Sequence, residues 1–382
     1  MKKKAIVLGC GLVGSVMARD LAADSDFETA VADVSEGNLA RLANVANLRT
    51  IRSDLSSIEK LKAIVEPFDI VIGAMPSALG FQTLRAVIES GKSLCDISFM
   101  IEDPTELDAL AKERGVTVVF DCGVAPGLAN MIIGHCASRM TETLDVAYYV
   151  GGLPKKRTWP YQYKAPFAPS DVIEEYTRPA RMIENGKVVV KPALSEPELM
   201  DFPRVGTLEA FNTDGLRTLL NTVKARNMKE KTLRYPGHCE LMRVFRETGF
   251  FRKEEIEVRG HAVKPLDVMS RLLFEKWKLE PREEEFTVLR VEVSGIREGR
   301  SFVHTYELYD EYDVATGIHS MARTTGFPNT IMARMIACGE FNKRGVFAPE
   351  MIGAEQGMLD RMMSELEAKG VHINEKVRTE GS

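Results

Sequence analysis

The sequence predicts an α/β fold in two domains: a doubly wound parallel sheet, then an α+β domain on a mixed or antiparallel sheet. Three observations lead there. Apolar strand-like runs alternate with helical stretches through the first 125 residues, the pattern of a parallel sheet covered by helices. The pattern then changes to strand-rich segments joined by short turns. The chain, at 382 residues, is also longer than one ordinary domain.

"KKAIVLGCGLVGSVMARDLA" begins as a short β run, passes a glycine-rich turn and continues as a helix with apolar residues at helical spacing. "FETAVADVS" is a strand ending in an acid, and "EGNLARLANVA" is a helix. "LRTIRSD" and "FDIVIGAMPS" are strands on either side of the helix "LSSIEKLKAIVE". "QTLRAVIESGKSLCDIS" and "PTELDALAKERGVTVVFDCG" repeat the helix–strand unit. Beyond the helix of "GLANMIIGHCASRM" come the β runs "LDVAYYVGGL", "RMIENGKVVVKP", "FTVLRVEVSGI" and "SFVHTYELYDEYD", with "ENGK" and "REGR" as turns. From "GIHSMARTTGFPNTIMARMIACGE" the chain reads as helical again, and "VRTEGS" reads as a disordered end. The expected division is 1–125 for the parallel-sheet domain, with helices of 318–382 packing back on it, and 126–317 for the second domain.

Composition narrows the function classes. Apolar residues make up 45% and charged residues 27%, and the net charge is −5, which leaves no basic face for nucleic acid. Six cysteines are scattered without a CxxC pair, the pattern of reduced thiols in a cytoplasmic protein and not of a disulfide frame or a zinc site. The apolar N-terminal stretch is interrupted by glycines and shows no cleavage site of a signal peptide, and no run of about 18 apolar residues predicts a membrane span.

Gly9, Gly11 and Gly14 form G-x-G-x-x-G between a strand and a helix, with Leu12 and Val13 at the helix mouth. Gly9 makes the tight turn, Gly11 lets the backbone approach a pyrophosphate, and Gly14 lets helix and strand pack closely. Asp33 ends the second strand nineteen residues after Gly14, followed by Val34. A carboxylate there binds both ribose hydroxyls and repels a 2′-phosphate, so NAD is the expected cofactor of a Rossmann domain. By position, Asp54 and Leu55 fall near the adenine, and Ala74, Met75 and Pro76 near the nicotinamide ribose.

The polar stretches of the second domain are "GGLPKKRTWPYQYKAP", "SDVIEEYTRPA", "LEAFNTDGLRTLL" and "EKTLRYPGH". Arg178, Arg217 and Arg234 are candidate partners of a substrate carboxylate, because a guanidinium donates two parallel hydrogen bonds; a surface ion pair is the plainer reading of each. Thr213 is a further candidate substrate contact. His238 follows a Pro-Gly turn and can take a proton near neutral pH, against the plainer reading of a structural histidine. Asp96 in "CDIS" and Asp121 in "FDCG" follow parallel strands at the ligand-binding edge, where a carboxylate attracts an ammonium group or simply caps a helix. Tyr163 and Lys164 can donate to substrate or move a proton. Glu174 and Glu175 read as the first turn of a helix capped by Ser170 or Asp171.

Taken together, "VLGCGLVG", "CDIS", "GVAPGLAN", "GGLP", "SDVIEEYTRPA", "LEAFNTDGLRTLL" and "EKTLRYPGH" resemble the saccharopine dehydrogenase-like family, most closely its L-lysine 6-dehydrogenase branch. The pieces run in order across nearly the whole chain. The resemblance implies a Rossmann domain joined to an α+β catalytic domain, and a homodimer or higher homo-oligomer. It departs from the saccharopine-handling members after "GLP", where "YQYKAPFAPSD" stands, and at His238, where an aromatic is expected.

On the lysine reading, hydride leaves the ε-carbon for NAD, the imine is hydrolysed, and ammonia is released. That chemistry needs a neutral ε-amine, and free lysine has a pKa of about 10.4, so the site must accept a proton. His238 is the expected base, Asp96 or Asp121 places the amine, Arg217 and Arg234 hold the α-carboxylate, and Tyr163 orients substrate or water. Two rivals stand: reductive condensation or its reverse on a larger imino acid of saccharopine or carboxynorspermidine type, with "PKKRTWP" supplying cations, and a non-catalytic NAD-sensing protein.

Overall fold

A computed structural model of the chain describes residues 2–166, 169–280 and 282–380. Phe167 and Ala168 of "YQYKAPFAPSD", and Gly381 and Ser382, lie outside the described residues. Two compact units form, Met1–His135 with Ala322–Val371, and Cys136–Met321 with His372–Ser382.

The first unit begins with β1 (Lys3–Leu8), α1 (Leu12–Ala22), β2 (Phe27–Asp33), α2 (Glu36–Ala40), β3 (Leu48–Arg52) and α3 (Ile58–Val65). It continues through β4 (Ile70–Gly73), α4 (Ser77–Glu89), β5 (Ser93–Asp96), α5 (Asp108–Glu113), β6 (Thr117–Val119) and α6 (Leu128–Ala137). Short helices are capped as the sequence invites: Ser35 and Ser57 accept the backbone N–H of Asn38 and Lys60 at the starts of α2 and α3.

The second unit runs β7 (Glu142–Pro154), α7 (Pro169–Thr177), β8 (Ala180–Glu184), β9 (Lys187–Lys191), β10 (Glu198–Phe202), β11 (Gly206–Asn212), α8 (Leu219–Thr222) and β12 (Ala225–Arg234). After it come α9 (His238–Thr248), β13 (Ile256–Val258), β14 (His261–Val263), α10 (Pro265–Trp277), β15 (Glu285–Arg297) and β16 (Arg300–Glu311). The chain then returns to the first unit as α11 (Ser320–Ala337), β17 (Gly345–Phe347), α12 (Pro349–Gly353) and α13 (Met358–Ala368), and ends with β18 (Ile373–Glu380).

The first unit is a seven-stranded parallel sheet in the order β17-β6-β5-β4-β1-β2-β3. Ile6, Leu8, Val71, Leu94 and Val118 are fully buried from neighbouring strands, which is why these runs read as continuously apolar. The second unit is a mixed sheet in the order β10-β11-β12-β7-β15-β16-β18, with β8 and β9 attached beside β12. Among the described strands of this sheet, β12 and β7 pair in parallel and the other neighbours antiparallel. Both expected hairpins form: Glu184 pairs with Lys187 across Asn185-Gly186, and Arg297 with Arg300 across Glu298-Gly299, all four loop residues at positive φ.

Several expectations change. The tail contributes a strand, β17, to the parallel sheet, beyond packing helices against it. Residues 372–380 leave that unit and pair with β16 from Ser301 to Leu308, so "VRTE" is ordered strand. The first unit extends to His135, not to 125. Strands β10 to β14 and helices α9 and α10 add to the elements read from the sequence. Glu174 and Glu175 sit in the second turn of α7, not its first.

Candidate active site

The glycine loop is shaped for a dinucleotide. Gly9 has φ 98°, and a Cβ there would collide with the Ala74 carbonyl, while a Cβ on Gly14 would collide with the Gly9 carbonyl oxygen. Gly11 caps α1 in extended conformation and has open space where a Cβ would stand. Its side of the loop and the free N–H groups of the first turn of α1 fit an approaching pyrophosphate. Leu12 is partly exposed at the mouth and Val34 is exposed beyond β2. Asp33 is held from both sides, its Oδ2 accepting the Cys10 N–H at 2.6 Å and its Oδ1 the Ser35 N–H at 2.7 Å. Asp54 lies in an exposed turn, its carboxyl lowered by the Ser56 hydroxyl and N–H, and Leu55 is buried. The residues present fit the group.

Ala74, Met75 and Pro76 link β4 to α4, with Pro76 at the N-cap. Asp96 stands directly beside this turn. Its Oδ1 accepts the Ser98 N–H at 2.7 Å, and the Ser98 hydroxyl lies 3.2 Å from Asp96 Oδ2 and 3.0 Å from the Met75 carbonyl oxygen. A side chain on Gly73 would run into the Asp96 carboxyl, which explains glycine at the end of β4. Burial pushes the Asp96 carboxyl up to about 7; the Ser98 bonds oppose this and the Asp121 charge adds to it. Asp121 is itself buried at φ 50°. The structure therefore brings Asp96 and Asp121 together, both buried, with Asp96 tied to the turn through Ser98 and neither at a surface open to substrate.

A second polar group lies on one face of the mixed sheet. Period-two alternation on β12 puts Leu233 in the apolar cluster with Tyr149 and Phe286. Glu230, Thr232 and Arg234 point to the other face, with Tyr148 and Phe211 as cross-strand partners of Glu230 and Thr232. All three are buried, on the face that carries Tyr163, Tyr176, Phe211 and Trp277.

Arg234 stacks over the Tyr163 ring at 4.4 Å. It donates from Nη2 to Glu175 Oε2 at 2.6 Å and to the Tyr163 hydroxyl at 3.4 Å, from Nε to the Tyr176 hydroxyl at 3.3 Å, and from Nη1 to the Leu233 carbonyl at 2.9 Å. Thr213 donates to Glu230 Oε2 at 2.6 Å and lies 2.8 Å from the Thr232 hydroxyl. The Gly215 N–H reaches the same Glu230 oxygen at 3.1 Å. Burial pushes the Glu230 carboxyl up to about 8; the Thr213 bond opposes this and the Glu175 charge adds to it.

His238 joins this group but does not fit the base expected of it. Its Nδ1 is 2.9 Å from the Tyr161 carbonyl oxygen, which only an N–H can satisfy, so Nε2, 2.9 Å from the Tyr176 hydroxyl, is the acceptor. Burial, reinforced by the Arg234 charge, pushes its pKa down to about 3. A neutral ring with both nitrogens engaged orients Tyr176 and does not collect a proton at neutral pH. Tyr163 is likewise buried, its hydroxyl pKa well above the ordinary value because of that burial.

Lys164 and Arg178 are occupied elsewhere. Lys164 donates to the Lys278 carbonyl at 3.0 Å and lies 3.8 Å from Glu283. Arg178 pairs with Glu174 one turn back at 3.7 Å. Arg217 takes φ 54° in the turn before α8. Glu230, Tyr176 and Trp277 are not among the residues singled out from the sequence, and Glu175 is read there only as part of a helix turn. A polar residue at every second position of "EKTLR" was the available signal for Glu230.

Residues 5–119 match the family model described as the saccharopine dehydrogenase NADP binding domain, and residues 123–371 the one described as the saccharopine dehydrogenase C-terminal domain. A two-domain dehydrogenase with an NAD(P)-binding Rossmann unit is thereby defined. The chain belongs to the saccharopine dehydrogenase family. It is 24% identical to a saccharopine dehydrogenase [NADP(+), L-glutamate-forming] of Pyricularia oryzae over 98% of this chain and 99% of that protein. With the mitochondrial alpha-aminoadipic semialdehyde synthase of Mus musculus it shares 24% identity over 95% of this chain, spanning only 47% of that longer protein. A carboxynorspermidine synthase of Vibrio cholerae is 23% identical over 79% of this chain and 77% of that one. In fold it is similar to the apo L-Glu-forming saccharopine dehydrogenase from Saccharomyces cerevisiae, with a TM-score of 0.81 at 20% identity, covering 98% of this chain and 100% of that one.

Proposed function

We propose that the protein is an NAD-dependent L-lysine 6-dehydrogenase, converting L-lysine to 2-aminoadipate 6-semialdehyde with release of ammonia. The observation that carries this reading is the charge of the buried group around β12, which holds one guanidinium, Arg234, and two carboxyl groups, Glu175 and Glu230. Arg181 and Asp214 nearby neutralise each other through paired bonds of 2.9 Å. L-lysine carries the inverse set, one carboxylate and two ammonium groups. Saccharopine carries three carboxylates, which call for more cations.

When bound, a nicotinamide dinucleotide supplies the hydride acceptor for oxidation of the ε-carbon. The chain's own residues do the remaining work. Arg234 offers the α-carboxylate its charge and the second Nη1 N–H, the guanidinium itself being oriented by Glu175, Tyr163, Tyr176 and, through Tyr176, His238. Asp33, fixed by two backbone N–H groups, supports NAD over NADP, since a 2′-phosphate would face a carboxylate that cannot turn away. Five buried cysteines and one exposed, all unpaired, support a cytoplasmic setting. A homodimer or higher homo-oligomer completes the reading.

The names of the relatives favour a second reading, a dehydrogenase or reductase of a larger imino acid of saccharopine or carboxynorspermidine type. Its cations would come from "PKKRTWP", yet Lys155 is taken by Glu284 and Glu311 at 3.0 and 2.7 Å, and Arg157 donates to Gln162 at 2.6 Å. The deciding experiment follows NADH absorbance and ammonia with purified protein, NAD or NADP, and L-lysine or saccharopine at alkaline pH. Turnover of lysine with NAD and release of ammonia is the expected result. Turnover of saccharopine alone favours the second reading, and dinucleotide binding without turnover points to a sensor.

A further inference from the structure

The roles above leave open how Glu230 meets its ligand. Its Oε2 takes both donors, Thr213 and Gly215, and its Oε1 has no partner among the described residues. A Cβ on Gly215 would strike the Glu230 side chain, so glycine there lets the turn close against the carboxyl. The residue is 3% exposed, and no lysine or arginine among the described residues pairs with it. A buried carboxylate without a cation is costly, so the group is built either to stay neutral or to receive a positive charge from outside. The Glu175 side chain, 26% exposed, gives the group its contact with solvent.

Spacing says which positive charge. Glu230 and Arg234 lie four residues apart on one face of β12, and a strand rises about 3.3 Å per residue, so their stems stand roughly 13 Å apart. An extended L-lysine advances roughly 7.5 Å from carboxylate carbon to Nζ over six single bonds of about 1.5 Å. A hydrogen bond of about 2.8 Å at each end gives the molecule a reach that matches this separation.

Resting on the lysine reading, we infer that Glu230 Oε1 docks the ε-ammonium of the substrate, with the α-carboxylate at Arg234 and the α-ammonium at Glu175. The nitrogen donates an N–H to Oε1. As the ammonium arrives, the Glu230 carboxyl gives its own proton to solvent. Lysine affinity therefore climbs about tenfold per pH unit toward pH 8 and flattens above it. A ligand without the ε-nitrogen shows no such climb.

The test is calorimetric titration of the full-length protein with L-lysine and L-norleucine, in two buffers of different ionisation enthalpy. Wild type is expected to prefer lysine by more than about tenfold and to release about one proton per lysine at pH 7. Glu230→Gln keeps acceptors for Thr213 and Gly215 and should lose both the preference and the proton release, with dinucleotide affinity unchanged. Glu230→Asp retracts the carboxylate and should move the preference from L-lysine to L-homolysine. Retention of the lysine preference in Glu230→Gln, or an unchanged ranking in Glu230→Asp, overturns the inference. A wild type that binds neither amino acid removes the lysine reading itself, and the inference with it.

Discussion

At the scale of single residues, environment outweighs residue type. His238 and Glu230 lie eight positions apart in the same polar stretch, and the fold reverses their expected usefulness. The imidazole, buried beside Arg234, is held neutral, whereas the carboxyl, buried beside Glu175, is moved into the range where protons are exchanged near neutrality. Glu230 also makes stability depend on pH, with a definite sign. Its folded value of about 8 is above the ordinary 4.5, so the stability contributed by the neutral form is complete below pH 4.5 and is lost as pH rises to about 8. Glu230→Gln cannot ionise and escapes this loss. Thermal unfolding should therefore show the variant melting above wild type at pH 9, by about 1–2 °C for each kcal/mol regained in a chain of this length, and close to it at pH 4.5. A constant offset between the two curves would assign the carboxyl no titration in this range.

At the scale of elements, the β1–α1 turn shows how much one close approach can determine. Gly14 lies against the Gly9 carbonyl, so α1 can pack on the sheet with its first-turn N–H groups at the edge where β4 ends. Gly14→Val should cost roughly 1–3 kcal/mol by overpacking and abolish measurable dinucleotide affinity. Fluorescence titration with NADH reads the second effect and chemical denaturation the first; full retention of NADH binding would contradict the role of the turn. This element was legible because G-x-G-x-x-G and Asp33 act over a short stretch of chain. The strand β12 was not. Its "KEKTLR" run, apolar only at Leu233, resembles a solvated strand, and the helices covering its Glu230 face belong to distant segments. The tertiary partner of Glu230, Thr213, lies 17 residues back.

At the scale of the whole molecule, the chain crosses between its units more often than a linear reading anticipates. It leaves the first unit after His135, returns from Ala322 to Val371, and ends in the second with β18. On β18, Glu375 accepts the Tyr306 hydroxyl at 2.7 Å and lies 2.9 Å from His304 Nδ1, tying the last strand to β16. Deleting residues 372–382 strips β16 of eight paired residues and leaves an open edge. Lowered melting temperature and concentration-dependent light scattering are the expected outcomes; a truncated chain as stable and monodisperse as the full one would show that β18 is dispensable.

The sequence by itself determined the parallel sheet, the dinucleotide loop with its acidic strand end, both two-residue hairpins and the family, because each is written in neighbouring residues or in a repeated period. Tertiary structure alone decided that β17 joins the first sheet and β18 the second, that His238 is neutral and committed, and that Glu230 is a buried acid with one oxygen unpaired among the described residues. Burial and charge partnership arise from segments far apart in the chain, and a residue's pKa and reach are set by those partners, not by its own neighbours in sequence.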